Sequence, residues 1–389
     1  MTAQPLVDWA PLARLVLLGG LLALLPLAWV WLRQRGADTP ARLAALTALT
    51  LFLTFDLIVF GAFTRLTDSG LGCPDWPGCY GQASPLGAQA DIHAAQAAMP
   101  SGPVTWSKAW IEMIHRYLAM TVGALILVMT AVSWQLAWRQ RGTAQRLALS
   151  PWWPTWTLVW VVVQGLFGKY TVTLKLYPAI VTLHLLGGLL LLALLAVQHA
   201  AFSRATLREQ PLNLSTGMRY ATVAVLACLG LQMALGGWVS TNYAVLACTG
   251  FPACNGQWWP TMDFGSGFVL LRELGMAGQG GSLPFEALVA IHMAHRLFAV
   301  LAASAALALA WALWRQPSAV LRRFGAGLAA LLTAQLVSGL SNVVLGWPLV
   351  AALAHSAGAA ALVLLLTLLL ARAASPHMVC TPAAQALPA

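Results

Sequence analysis

Charged residues are scarce in this chain, and acidic ones are the scarcest. Of the 389 residues only 8% are charged, with 21 Lys or Arg and 11 Asp or Glu, whereas 60% are hydrophobic. A soluble globular domain carries roughly 25% charged residues, so this composition excludes one. Apolar runs of about 20 residues, the length that crosses a bilayer as a helix, recur along the whole chain. The sequence therefore predicts a polytopic membrane protein.

The alternation of polar and apolar residues that marks a membrane β-barrel is also missing. Helices remain as the spanning elements, because backbone groups in lipid need partners within the segment. The first apolar run lacks the basic start and small-residue cleavage site of a signal peptide, so it is predicted to stay as a helix. Nine spans are predicted, at about 11–32, 42–64, 110–138, 152–169, 178–200, 219–241, 287–314, 322–343 and 347–371.

The net charge of +10 is a topology signal. The basic residues concentrate in alternate short loops, near 33–42, 139–146, 204–219 and 315–323. By the positive-inside rule these loops face the cytoplasm of a cell inner (plasma) membrane, and the charge calls for no nucleic-acid partner. The N-terminus and two long loops, 66–109 and 243–286, are then predicted on the outer side, and the C-terminus in the cytoplasm.

Two copies of one pattern run through the chain, offset by about 175 residues. In the outer loops, Cys73, Pro77, Cys79, Gly81 and Gln82 match Cys248, Pro252, Cys254, Gly256 and Gln257. In the spans, Asp56 falls near Gln232 and Gly61 near Gly237, His115-Arg116 matches His295-Arg296, Gln164 and Gly168 match Gln335 and Gly339, and His184 matches His355. Both copies start on the same side, which indicates parallel repeats.

The repeat predicts an all-α polytopic membrane protein with two tandem parallel-repeat four-helix bundles and one extra N-terminal transmembrane helix. The predicted parts are 1–41, the extra helix and a cytoplasmic loop; 42–203, the N-terminal half with outer cysteine loop 66–109; 204–218, a cytoplasmic linker; 219–371, the C-terminal half with outer cysteine loop 243–286; and 372–389, a cytoplasmic tail.

Four histidines occupy matching positions in the spans, although a polar ring in lipid is costly without a partner. At 1.5 Å per residue they all lie about 8–12 Å below the outer ends of their helices. Two imidazoles facing each other across a four-helix bundle are a usual way to hold a six-coordinate haem iron. Zinc needs three or four ligands, and neither half offers them. The predicted haem ligands are His115 and His184 in the first half, and His295 and His355 in the second.

Haem propionates in such sites would point toward the outer surface, where basic side chains lie. The candidates are Arg65, Arg116, Lys175 and Arg296. The alternative is that these residues only anchor helix ends by snorkelling.

One position differs between the copies in a way that bears on chemistry. Glu112 stands in the first copy where the second has His292. The i, i+3 spacing puts Glu112 and His115 on the same helix face. A carboxylate beside a haem can act as a proton donor, a general base or an anchor for a reactive intermediate. The alternative is a simple ion pair with Arg116.

The paired cysteines lie in the loops predicted on the outer side, where disulfides persist. Cys73 can pair with Cys79, and Cys248 with Cys254, each pair closing a small ring. The chain-entropy contribution of so small a ring is about 2 kcal/mol. Two roles are open for these disulfides, a structural staple and a redox function.

These residues resemble the haem A synthase family, in its cysteine-containing bacterial type. The most specific part is the string at residues 64–77, TRLTDSGLGCPDWP. The rest of the resemblance lies in Glu112-Met113-Ile114-His115-Arg116, His184, the Cys248 and Cys254 loop, His295-Arg296 and His355, and it spans residues 42–371. The sequence departs from the family pattern in its predicted helix at 11–32, because the family core has eight spans and this chain is predicted to have nine.

The resemblance implies a division of labour between the halves. His115 and His184 would flank the substrate, haem O, with Glu112 beside it, and His295 and His355 would ligate a haem B cofactor. The implied reaction oxidises the methyl at ring position 8 of haem O to a formyl group, by successive hydroxylations with loss of water. Cys73 and Cys79 would serve in redox transfer or catalysis. Implied partners are haem O synthase, cytochrome oxidase assembly factors and an unspecified electron donor.

Two other functions fit the same residues. The first is a b-type electron-transfer cytochrome with two permanent bis-histidine haems, which has no need of Glu112. The second is a haem or quinone transporter, since parallel repeats also occur in transporters.

Overall fold

The computed structural model describes residues 10–141, 149–207, 210–278 and 280–373. Throughout these residues the regular structure is helical, apart from three isolated β-bridges in the loops. The helices are α1 (Ala10–Arg33), α2 (Thr39–Leu66), α3 (Gln89–Ala98), α4 (Trp106–Arg139), α5 (Trp152–Thr173), α6 (Pro178–Leu207), α7 (Thr216–Thr241), α8 (Phe264–Gly267), α9 (Phe285–Trp314), α10 (Ala319–Val344) and α11 (Leu349–Arg372).

Within the described ranges, eight helices are long and apolar enough to cross a membrane: α1, α2, α4, α6, α7, α9, α10 and α11. The predicted all-α membrane class is confirmed. The ninth predicted span, 152–169, forms α5 but falls short by composition, because Thr, Gln and Lys lower its mean hydropathy. The helix has 22 residues, which at 1.5 Å each is about 33 Å and is enough to cross the hydrocarbon core of a bilayer.

The long helices form two rings of the same order. In the first ring, α2 packs on α4, α4 on α5, α5 on α6 and α6 on α2. In the second ring, α7 packs on α9, α9 on α10, α10 on α11 and α11 on α7. The rings meet where α6 contacts α7 and α11, and where α2 contacts α11. These contacts bring the second and fourth helices of each ring to opposite corners.

Side-chain caps start several of these helices where the sequence provides them. Asp38 accepts from the backbone N–H of Ala41 at the start of α2, and Thr105 accepts from Lys108 at the start of α4. Such caps satisfy backbone donors that a helix start leaves unpaired. The Thr105 cap also fixes where α4, the helix that carries Glu112 and His115, begins.

The extra N-terminal helix packs along α4 and touches α2. Leu15 of α1 is buried in the same cluster as the disulfide Cys73–Cys79 and Met113. This helix is therefore joined to the first half and to its outer loop.

All four predicted segment boundaries, after residues 41, 203, 218 and 371, fall inside helices. The predicted linker 204–218 begins within α6, which continues to Leu207, and α7 starts at Thr216. Residues 208 and 209 of that linker, residues 1–9 of the first segment and residues 374–389 of the predicted tail lie outside the described residues.

Candidate functional site

Each of the four predicted haem ligands packs its ring against a glycine of the neighbouring helix. A Cβ atom built on that glycine would lie 3.0 to 3.5 Å from the ring Cε1 in three cases and 2.9 Å in the fourth. The pairs are Gly61 with His115, Gly168 with His184, Gly236 with His295 and Gly339 with His355. The same cradle is thus built four times, and an added Cβ would crowd the imidazole at Gly61, Gly236 and Gly339, whereas at Gly168 it would make an ordinary contact.

These contacts correct one alignment of the repeat. The glycine that matches Gly61 is Gly236 rather than Gly237, because Gly236 cradles His295 while Gly237 faces Thr182 and Leu185 of α6. Leu57, and not Asp56, is then the counterpart of Gln232. The two adjacent glycines of α7 could not be distinguished by sequence, since only the direction each faces separates their roles.

The two histidines of each half come from opposite helices of its ring, α4 and α6 in the first and α9 and α11 in the second. His184 lies close enough to influence His115 electrostatically, and His355 does the same to His295. The Phe60 ring is stacked on His115 with centroids 6.3 Å apart. The buried Nδ1 atoms of His115 and His184 have no hydrogen-bond partner. In the described part of the chain, no three His, Cys, Asp or Glu side chains come together as a metal cluster. In each half, two imidazoles from opposite helices, each packed against a glycine, fit a haem iron with two axial ligands.

Glu112 is buried, with 4% of its surface exposed. Its Oε2 accepts from the backbone N–H of Cys73 at 2.8 Å, and its Oε1 pairs with the guanidinium of Arg116. The ion pair considered from the sequence is therefore present, and it also ties α4 to the first cysteine loop. A catalytic role for Glu112 stays a prediction.

The matching residue of the second copy also ties its loop to the helix. His292 is 4% exposed, and its Nδ1 lies 2.9 Å from the carbonyl oxygen of Ala244. The position thus fastens the start of the outer loop in both halves. Only in the first half does it carry a carboxylate.

Both predicted cysteine pairs are disulfide-bonded. The Cα atoms are 5.0 Å apart in Cys73–Cys79 and 4.9 Å apart in Cys248–Cys254. All four cysteines are buried, with at most 2% exposure. Each loop also closes on itself through paired backbone hydrogen bonds, Cys79 with Gln82 and Cys254 with Gln257. The burial favours a structural staple, and a redox role stays a prediction.

Two of the predicted propionate partners are engaged with the cysteine loops. Arg116 Nη1 donates to the carbonyls of Asp75, Pro77 and Gly78 at 3.0, 3.1 and 2.5 Å. Arg296 donates to the carbonyl of Cys248 at 2.8 Å. Sequence reasoning missed this use, because loop carbonyls leave no trace in a pattern of side chains. A propionate contact of either arginine stays a prediction.

The other two basic candidates have different surroundings. Lys175 lies in the turn before α6 and is exposed. Arg65 reaches the second half, where it donates to the carbonyl of Ser240 at 2.5 Å and lies 4.1 Å from the centroid of the Tyr243 ring. The Tyr243 hydroxyl donates to Asp68 at 2.6 Å. Arg65 therefore belongs to a contact between the halves.

The hydrogen bond between Tyr243 and Asp68 is expected to contribute measurably to the stability of the protein. Burial raises the pKa of the Tyr243 phenol, and the Asp68 hydrogen bond acts in the same direction, so the hydroxyl keeps its proton at neutral pH. Tyr243→Phe is expected to lower the free energy of unfolding by about 0.5–1.5 kcal/mol, measured by thermal unfolding in detergent. Tyr220→Phe, at a ring 72% exposed, is the control. Equal unfolding midpoints for the two variants would contradict the assignment.

Comparison with known proteins covers nearly the whole chain. Residues 44–367 match the family model COX15-CtaA, described as cytochrome oxidase assembly protein. A protein of Shewanella oneidensis named Heme A synthase is 36% identical over 325 residues, which are 84% of this chain and 94% of the relative. Its namesake in Maricaulis maris is 27% identical over 319 residues, 78% of this chain and 87% of the relative. The residues that match the family model begin after α1.

Proposed function

The chain belongs to the COX15-CtaA family of haem A synthases, and from this membership we propose that its two four-helix halves have different tasks. As a haem A synthase it is a membrane oxidoreductase that acts on haem O. Haem is thus both the substrate and, by the family, a bound cofactor. The proposal concerns which half holds which haem, and which residues serve each.

We place the substrate in the first half. His115 and His184 would hold haem O between α4 and α6, with Glu112 one helical turn from His115. The observation that carries this placement is the buried carboxylate of Glu112, which has no counterpart at His292 in the second half. The reaction converts the methyl at ring position 8 to a formyl group through successive hydroxylations and loss of water, for use in a terminal cytochrome oxidase.

We assign haem B to the second half, with His295 and His355 as its axial ligands. When bound, haem B supplies one-electron redox chemistry to the enzyme. The chain's own part is to present two imidazoles from α9 and α11, each held against a glycine. Bulky neighbours at these glycines would tilt the rings, so the cradles orient the ligands.

We propose that Glu112 handles protons at the edge of the substrate site. Its carboxylate is held in place by Arg116 and by the backbone N–H of Cys73. A fixed carboxylate within one turn of an iron ligand is positioned for general acid–base work. Haem O synthase, oxidase assembly factors and an electron donor are the proposed partners.

Both cysteine loops are proposed to cover the haem sites from the outer side of the membrane, with the C-terminus in the cytoplasm. The support is the distribution of basic residues among alternate loops. The buried disulfides and the arginines that bind the loop carbonyls would keep these lids closed.

The test is to express the protein with and without a source of haem O and to separate the extracted haems by chromatography. The expected result is haem B in both cases, and haem O with haem A only where haem O is supplied. A preparation that carries two haem B per chain and never forms haem A would instead identify an electron-transfer cytochrome.

A further inference from the structure

The two histidine pairs differ in the partners of Nδ1, the ring nitrogen that stays free of the iron when Nε2 is the ligand. In the second half both Nδ1 atoms have partners. His295 Nδ1 lies 3.0 Å from the Gln232 amide. His355 Nδ1 lies 3.1 Å from the Ser338 hydroxyl oxygen and 3.1 Å from the Gln335 carbonyl oxygen.

In the first half no side chain bonds to the corresponding nitrogens, and His115 Nδ1 and His184 Nδ1 are buried. The backbone carbonyl of Gln164 interacts with the His184 ring, as that of Gln335 does with His355. The two halves therefore differ in the side-chain partners of Nδ1.

The glycine cradles identify the residues responsible. Gln232 precedes Gly236 by four residues, and the residue four before Gly61 is Leu57. Ser338 precedes Gly339 by one, and the residue before Gly168 is Phe167. At both positions a hydrogen-bonding side chain in the second half is replaced by an apolar one in the first.

Such partners matter because a histidine that binds a metal through Nε2 carries its proton on Nδ1. A hydrogen bond from Nδ1–H fixes the tautomer and ring orientation and raises the basicity of the ligand. Ser338 offers a hydroxyl oxygen as acceptor. Gln232 Nε2 donates to the His295 carbonyl oxygen at 3.2 Å and lies 3.0 Å from Nδ1, so this amide holds the helix turn and the ring of His295 together.

We propose that Gln232 and Ser338 are positioning residues that keep the haem of the second half bound. Leu57 and Phe167 provide no such side-chain contacts in the first half, so that substrate can be exchanged there for product. This inference rests on the proposed division of labour. The difference in these contacts would explain why two sites with the same ligands and the same cradles bind one haem permanently and the other transiently.

The experiment measures haem loss from the purified full-length protein to apomyoglobin. Gln232→Leu and Ser338→Ala are expected to speed the loss of haem B, by roughly 10–100-fold for Gln232→Leu, and Ser338→Ala should also raise its reduction potential. Ser338→Thr keeps the hydroxyl and should restore slow loss. Ser341→Ala, one turn further along α10, removes a hydroxyl bonded only to its own helix and should leave the rate unchanged.

The reciprocal variant Leu57→Gln is expected to slow the loss of haem O from the first half. Haem B loss within twofold of the parent protein in both Gln232→Leu and Ser338→Ala would overturn the inference.

Failure of the division of labour would look different. In that case His295→Ala and Gln232→Leu would release haem O or haem A and retain haem B. If only the hydrogen-bond inference fails, His295→Ala loses haem B while Gln232→Leu keeps it at the parental rate.

Discussion

Replacement of Glu112 by alanine is expected to abolish haem A formation while haem stays bound. General acid–base groups contribute roughly 10²–10⁴-fold to a reaction rate, so the yield of haem A should fall by about 100-fold or more. The measurement is the ratio of haem A to haem O extracted from cells that supply haem O. Haem A that still accumulates at the parental level would exclude a catalytic role for this carboxylate.

Glu112→Ala also leaves Arg116 without its partner and the Cys73 N–H without its acceptor. Breaking a buried ion pair by removing one member costs about 3–5 kcal/mol, so the alanine variant tests stability as well as chemistry. Glu112→Gln separates the two, because the amide oxygen can still accept from Cys73 while the carboxylate is gone. It should retain haem and fold yet form no haem A.

A matched control exists in the second half. His292→Ala removes the loop contact with Ala244 at the position equivalent to Glu112. It should lower stability but leave haem A formation in place. If His292→Ala and Glu112→Gln lower haem A formation equally, then Glu112 serves only as a loop tether.

The second large effect concerns His295 and His355, the ligands proposed for haem B. His295→Ala and His355→Ala are each expected to remove the haem B spectrum, since loss of one axial imidazole also leaves a void against Gly236 or Gly339. His115→Ala and His184→Ala should keep haem B and lose haem O and haem A. The readout is the reduced absorption spectrum with chromatography of the extracted haems.

His292→Ala again provides the control, because its ring is buried on the same helix one turn before His295 and bonds to a backbone carbonyl. It should retain haem B. Retention of haem B in both His295→Ala and His355→Ala would end the assignment of the second half.

The spanning helices were largely predictable because the bilayer imposes length and composition on each segment. Eight of the nine predicted spans coincide with helices that meet both requirements in the described residues. The exception is α5, where polar residues among the tryptophans lower the hydropathy although the helix has 22 residues. Two of its polar residues, Thr157 and Gln164, are buried, and a buried side chain is not constrained by contact with lipid.

The histidines of the candidate site could be identified from the sequence, but the residues that hold them in place could not. The four histidines stand out because such residues are rare in apolar spans. Gln232, the partner of His295, does not stand out in the same way, because it lies 63 residues away in sequence. Arg116 was predicted to meet a propionate or Glu112, and its three loop carbonyls had no sequence signal. Hydrogen bonds to the backbone depend on where a loop folds back.

The sequence by itself determined the membrane class, the repeat, the cysteine pairs and the four histidines, because hydropathy, period and residue type are local properties. Only the tertiary structure decided which glycine cradles which ring, that Glu112 is tied to Cys73, and that the second histidine pair has side-chain partners that the first pair lacks. Those features depend on which faces of distant helices meet. Two copies with nearly the same pattern can therefore differ in the environment of their ligands.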